Sequence, residues 1–122
     1  MVNNDSLYIN HMFVYVISAE INDIKSYKIG YTKRTVADRV KEFKTGNASE
    51  FNIELTFESA WCTKIEAALH KQFRSKKING EWFHLDSDDL IEVEKSCNRL
   101  HNSFEAIKSS NTWYIDRGCK LY

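Results

Sequence analysis

The chain lacks proline altogether and has only four glycines among its 122 residues. Without proline's fixed φ, its turns fall to glycine, asparagine and aspartate. Cysteine is scarce as well, at positions 62, 97 and 119 only. An odd count with no C-x-x-C spacing argues against a disulfide framework or a zinc site, and points to a reducing compartment. No apolar run approaches the ~20 residues that a membrane-spanning helix needs. The opening MVNNDSLYIN has neither the basic nor the apolar region of a signal peptide. Together these absences predict a soluble, cytoplasmic protein. Net charge is missing too, since 17 basic residues face 17 acidic ones, and global electrostatics selects no partner.

What is present is one domain's worth of chain, on a prior of ~100–200 residues each. It is long enough to bury roughly two-thirds of its unfolded surface without staples. Its charge is polarised along the sequence. Residues 25–47 carry seven cations against two acids, and residues 64–77 carry five against one. Residues 81–105 reverse this, with seven acids against two cations. A local basic surface attracts anions whatever the total charge. For any single lysine, an ordinary solvated face is the better explanation.

Periodicity sorts the chain into elements. HMFVYVISAE is apolar on both parities from Met12 to Ile17, as in a strand covered on both faces. INDIK reads as a hairpin loop leading into SYKIGY. TVADRVKEFKTGN predicts a helix capped by Thr35, with Asp38 in the first turn, a buried stripe of Val36, Val40 and Phe43, and a stop at Gly46. EFNIELTFES alternates cleanly, placing Phe51, Ile53, Leu55 and Phe57 on one side of a strand. TKIEAALHKQFR predicts a second helix on Ile65, Leu69 and Phe73. KINGEWFHL then supplies an Asn-Gly turn and an aromatic pair, Trp82 and Phe83. A third, acid-headed helix follows, with the stripe Leu90, Val93, Cys97, Leu100 and Phe104. The closing NTWYIDRGCKLY is expected to add a short strand or hairpin, or to pack down. This order implies an α+β domain, a small antiparallel sheet with helices against it.

The stretch SYKIGYTKR, residues 26–34, resists that simple scheme. It sets a bare glycine and three cations around one short strand. It is either a solubilised edge strand or a site for something anionic. Four other positions are equally out of place. Tyr15 interrupts an apolar strand, Arg39 borders the first helix's apolar stripe, and Glu66 and His70 share a flank of the second helix one turn apart. Each has a plain explanation. TKIE is a capping box worth ~1 kcal/mol, with Thr63 as cap and Glu66 as its partner. His70 pairs with Glu66, Tyr15 is a core tyrosine with its hydroxyl bonded, and Arg39 pairs with Glu42 or Asp38.

As an ordered set, FVYVI, YKIGYTKR, ADR, IEAALH and GEWFHL resemble the GIY-YIG endonuclease superfamily, above all its phage T5 open-reading-frame-172-like branch. The resemblance spans residues 12 to 85. It implies a three-stranded antiparallel sheet flanked by helices and a metal-dependent phosphodiesterase of phage or mobile-element kind, acting on nucleic acid, DNA above all. Residues 1–85 then form the nuclease-like core, and 86–122 a C-terminal helical extension packed on it. Tyr15 matches the first motif's tyrosine, and Lys28 to Gly30 match the second motif. Arg39 matches the helix arginine, Glu66 the metal-binding glutamate, and His70 the branch's histidine. The implied catalytic set is Tyr15, Lys28, Arg39, Glu66 and His70, with Mg²⁺ or Mn²⁺ on Glu66. Trp82 and Phe83 match a structural aromatic pair.

The chemistry gives each type a reason. Mg²⁺ binds through few carboxylates and keeps its waters. Arginine offers a planar fork to phosphate oxygens. An ammonium on Lys28 near Tyr15 favours the phenolate. Gly30 lets a phosphate approach the strand. Lys33, Arg34, Lys41, Lys44, Lys71, Arg74, Lys76 and Lys77 are candidate backbone-phosphate contacts. Phe13 departs from the family by replacing the first motif's opening glycine, and Arg34 is an alternative to Arg39. Two rival functions remain: a non-catalytic nucleic-acid-binding relic of the same fold, and a protein-interaction module using the acidic helix.

Overall fold

A computed structural model describes residues 12–43 and 50–116, with side chains as far as residue 109. Strands β1 (Phe13–Ile21) and β2 (Ile24–Thr32) form a hairpin. Its two-residue loop is Asn22 and Asp23, both at positive φ (52° and 66°). That is the demand of a type I′ turn, which asparagine and aspartate meet at little cost. The loop is therefore shorter than INDIK, and Ile24 and Lys25 belong to β2.

Helix α1 (Val36–Val40) is capped by Thr35, whose hydroxyl accepts from the Asp38 amide at 3.2 Å. The helix is shorter than the sequence predicts. Glu42 and Phe43 donate to the carbonyls of Arg39 and Val40, which tightens the last turn. The turn delivers the Phe43 ring against Tyr15 (6.2 Å) and Phe51 (5.8 Å), and that packing overrides helix propagation. The expected stop at Gly46 lies outside the described residues.

Strand β3 (Asn52–Glu58) pairs with β1, but not in unbroken alternation. Val16 faces Leu55 while Ile17 faces Ile53, so Glu54 is a bulge. A bulge moves the apolar set to the other face. Leu55 and Phe57 thus pack on one cluster and Phe51 on the other, and the predicted single apolar side is corrected.

Helix α2 (Cys62–Gln72) is followed by a 3₁₀ turn (Arg74–Lys76) and strands β4 (Lys77–Asn79) and β5 (Trp82–Phe83). Among the described residues the sheet has five antiparallel strands in the order β3-β1-β2-β5-β4, not three. The extra two are too short to show any period. Their loop is Gly80 and Glu81, with Gly80 at φ +51°, and Asn79 faces Trp82 across it. Glycine at a hairpin's first central position suits a type II′ loop. The expected Asn-Gly turn is displaced by one residue.

Helix α3 (Ser87–Asp116) is 30 residues long. Asp86 and Asp89 exchange side-chain to backbone hydrogen bonds (2.8 and 3.0 Å), a reciprocal cap at its start. Residues 111–116 are its last turns, so the expected strand does not begin there. Residues 117–122 lie outside the described set. Val93 and Cys97 of α3 are fully buried in one cluster with Val14, Val16, Ile29, Ile65, Leu69 and Phe83. A smaller cluster of Tyr15, Ile17 and Val36 lies on the opposite face of the sheet. Both parities of β1 are buried, as its sequence predicts. No helix among the described residues is long and apolar enough to cross a membrane.

Candidate active site

The site is organised around the outer edge of β2. Ile29 directs its backbone away from β1, and β5 pairs only with Tyr27 and Lys28. The Ile29 N–H donates to the carbonyl of Glu81 (3.1 Å), and the Ile29 carbonyl accepts from Nε2 of His70 (2.9 Å). A carbonyl can only accept, so Nε2 carries the proton in this arrangement. The middle residue of the KIG motif therefore anchors the β4–β5 turn and α2 through its backbone.

Tyr15 approaches the same edge from β1. It pairs with Gly30, and its ring lies across that glycine. A Cβ on Gly30 would sit 2.5 Å from Tyr15 Oη and 2.6 Å from Cζ. The glycine is thus required by the phenol itself, a contact the sequence does not reveal. Tyr15 is 1% exposed. Burial pushes its hydroxyl up to about 12, and Glu81 and Glu66 add to this. The Arg39 guanidinium, by charge and hydrogen bond, offsets only part of it. The expected phenolate is corrected accordingly: at neutral pH Tyr15 is a protonated phenol.

Lys28 does not serve Tyr15 as expected. Its ammonium lies 2.6 Å from Oε2 of Glu81, beside the rings of Phe43 (5.1 Å) and Trp82 (5.8 Å). Arg39 bonds Oε1 of Glu42 at 2.9 Å and lies over Phe43 at 4.8 Å while reaching Tyr15. Arg34 pairs with the other oxygen of Glu42. The two arginines therefore share one exposed acid, whose carboxyl is held below its usual range chiefly by Arg34.

Glu66 is not a capping residue. Helix α2 begins at Cys62, with Trp61 as its cap and no side-chain cap bond, so Thr63 is already inside the helix. Ser59 takes up the Trp61 amide instead (3.0 Å). Glu66 lies 3.5 Å from Nε2 of His70. Burial raises its carboxyl pKa, His70 and Lys28 pull it down, and Glu81 pushes it up. Among the described residues, one ligand atom from each of Glu66, His70 and Glu81 lies within 4.8 Å of the others. The two carboxylates suit a hard divalent cation such as Mg²⁺ or Mn²⁺, and His70, whose Nε2 proton goes to the Ile29 carbonyl, stands beside them. Glu81 is the residue that sequence reasoning missed. The signal was the glycine before it, which marks a turn able to present a side chain.

The outlying cations divide. Lys33, Lys71 and Arg74 are exposed. Lys41 is exposed and lies 3.9 Å from Asp38. Lys76 is bound by both oxygens of Asp89 (2.6 and 2.7 Å), which withdraws it from the candidate phosphate contacts. Lys77 is exposed on β4, and Lys44 lies outside the described residues. Two surface clefts of about 280 and 290 Å³ lie toward the turn end of the β1–β2 hairpin, and none of the site's side chains lines them.

No curated protein and no solved structure matches the chain. The T5orf172 domain family matches residues 12–111, past residue 85 and through most of α3. By that match the chain belongs to the T5orf172 domain family, the branch of the GIY-YIG group that its motifs resemble.

Proposed function

We propose that the protein is a metal-dependent endonuclease that hydrolyses nucleic-acid phosphodiester bonds, with DNA as its substrate. The observation that carries this reading is convergence. Tyr15 from β1, Arg39 from α1 and Glu66 from α2 lie far apart in sequence, yet the phenol feels both the guanidinium and the carboxylate. Each had a separate structural explanation, and separate explanations do not require a common place.

Hydrolysis adds water across a P–O bond, so a nucleophile must lose a proton and a leaving oxygen must gain one. Glu66 would hold the cation, which when bound supplies Lewis-acid stabilisation of the phosphate's charge. Arg39 presents a planar donor fork to the phosphate oxygens. Tyr15, protonated, donates a hydrogen bond toward the same group. His70 keeps a proton at Nε2 beside Glu66, within reach of acid–base exchange at that carboxylate. Lys33, Arg34, Lys41, Lys71 and Arg74 position the backbone without reading sequence.

Purified protein with Mg²⁺ or Mn²⁺ should nick or cut members of a nucleic-acid panel, and Glu66→Ala should abolish the cutting while the fold melts cooperatively. Cutting that survives this change removes Glu66 from the mechanism. One observation favours a second reading, a non-catalytic nucleic-acid binder. Lys28 is engaged by Glu81 and the Tyr15 proton is tightly held. That reading predicts steeply salt-dependent binding without turnover.

A further inference from the structure

We infer that Glu81 is a second carboxylate ligand of the metal centre, and that Lys28 is an internal cation holding the metal's place beside it. The inference rests on the metal-dependent reading of the site. Glu81 is presented rigidly. It occupies the second position of a two-residue turn, and its carbonyl is bound by the Ile29 amide at 3.1 Å. Its carboxylate reaches the neighbourhood of Glu66, within the 4.8 Å cluster. Two carboxylates that close repel unless a cation stands by them. Lys28 supplies one charge. Its Nζ lies 2.6 Å from Glu81 and its side chain is only 13% exposed.

A divalent ion taken by the same oxygens supplies two charges and direct coordination. It repels the ammonium at short range, where the local dielectric screens little. The two cations therefore compete for Glu81. Metal entry releases Lys28, and the released ammonium is free to turn to the anionic phosphate beside Arg39. His70, with Nε2 committed to the Ile29 carbonyl, orients the cluster from α2. Residue 28 is in this way a positioning residue for the metal, and its effect is readable without any substrate.

Calorimetric titration of the full chain with Mn²⁺ tests this, with thermal melts to verify that each variant folds. Glu81→Gln should weaken Mn²⁺ binding by about tenfold or more, the scale on which even outer-shell partners act. Lys28→Met and Lys28→Gln should each tighten it several-fold, and by less when Glu81 is already glutamine. An unchanged affinity in Glu81→Gln, or a weakened one in both Lys28 variants, overturns the proposal. If Glu66→Gln abolishes binding while Glu81→Gln does not, this inference fails and the nuclease reading stands. If the affinities follow the expectation and no nucleic acid is cut, the nuclease reading fails and the metal site stands.

Discussion

The two faces of the sheet are built for different ends. The face under α2 and α3 buries Val14, Val16, Ile29, Ile65, Leu69, Phe83 and Val93, together with the thiols of Cys62 and Cys97. Burial raises both thiols, Cys97 to about 12, so neither is a reactive nucleophile. Among the described residues, the core cluster on the face under α1 is small, made of Tyr15, Ile17 and Val36. Its remaining packing is aromatic and half-exposed, with Lys28 and Arg39 over the Phe43 ring. Cations on rings keep charge available at little desolvation cost. One face stores stability and the other holds charge in place.

That division can be broken by substitution. The largest expected effect is on rate: Glu66→Ala should lower metal-dependent cleavage by more than about 100-fold, beyond what outer-shell changes cost. Initial rates under saturating Mn²⁺ read it. Next is Val93→Ala on the opposite face. Losing two buried methyl groups should cost about 2–3 kcal/mol by urea denaturation, with activity per folded molecule unchanged. A large activity loss there would mean the faces are coupled.

Gly30→Ala should cost about 1–3 kcal/mol, because its new methyl meets the Tyr15 ring. The cost should shrink when Tyr15 is also leucine, and a double-mutant cycle measures the difference. An unchanged cost would place the strain elsewhere.

Two smaller effects concern protons. The Glu66 carboxyl is raised in the folded protein, mainly by burial. Its stabilising contribution is intact below the unfolded value near 4.5 and is lost as pH climbs through the folded one. Glu66→Gln should therefore melt above wild type at pH 7, and the gap should close on acidification toward 4.5. A capping role would predict the reverse. Tyr15 follows the same sign. Its contribution is complete below pH 10 and lost as pH rises toward about 12, so Tyr15→Phe should flatten the alkaline fall in melting temperature.

Glu66 shows how far sequence reading reaches. TKIE is a proper capping box, yet α2 starts two residues earlier than a Thr63 cap would set it, with Trp61 at the cap position and its amide donating to Ser59. A local motif names the residues able to cap, and tertiary packing decides which of them does. Glu54 makes the same point for strands. Alternation from Phe51 to Phe57 is perfect in the sequence, yet Leu55 and Phe57 pack on one cluster and Phe51, just before β3, on the other, with a bulge at Glu54. Glu81 was hidden because its strands are three and two residues long, too short for any period to register.

The residue order alone determined the β1–β2 hairpin, the stripes of α2 and α3, the capped start of α1 and the family motifs. Each of these is local or periodic, set by backbone preference and the spacing of apolar side chains. Only the tertiary structure decided that Tyr15 lies over Gly30, that Lys28 binds Glu81 and that Glu66 and His70 come together with Glu81. Those contacts join residues separated by up to 53 positions, and no repeat along the chain encodes a distance across it.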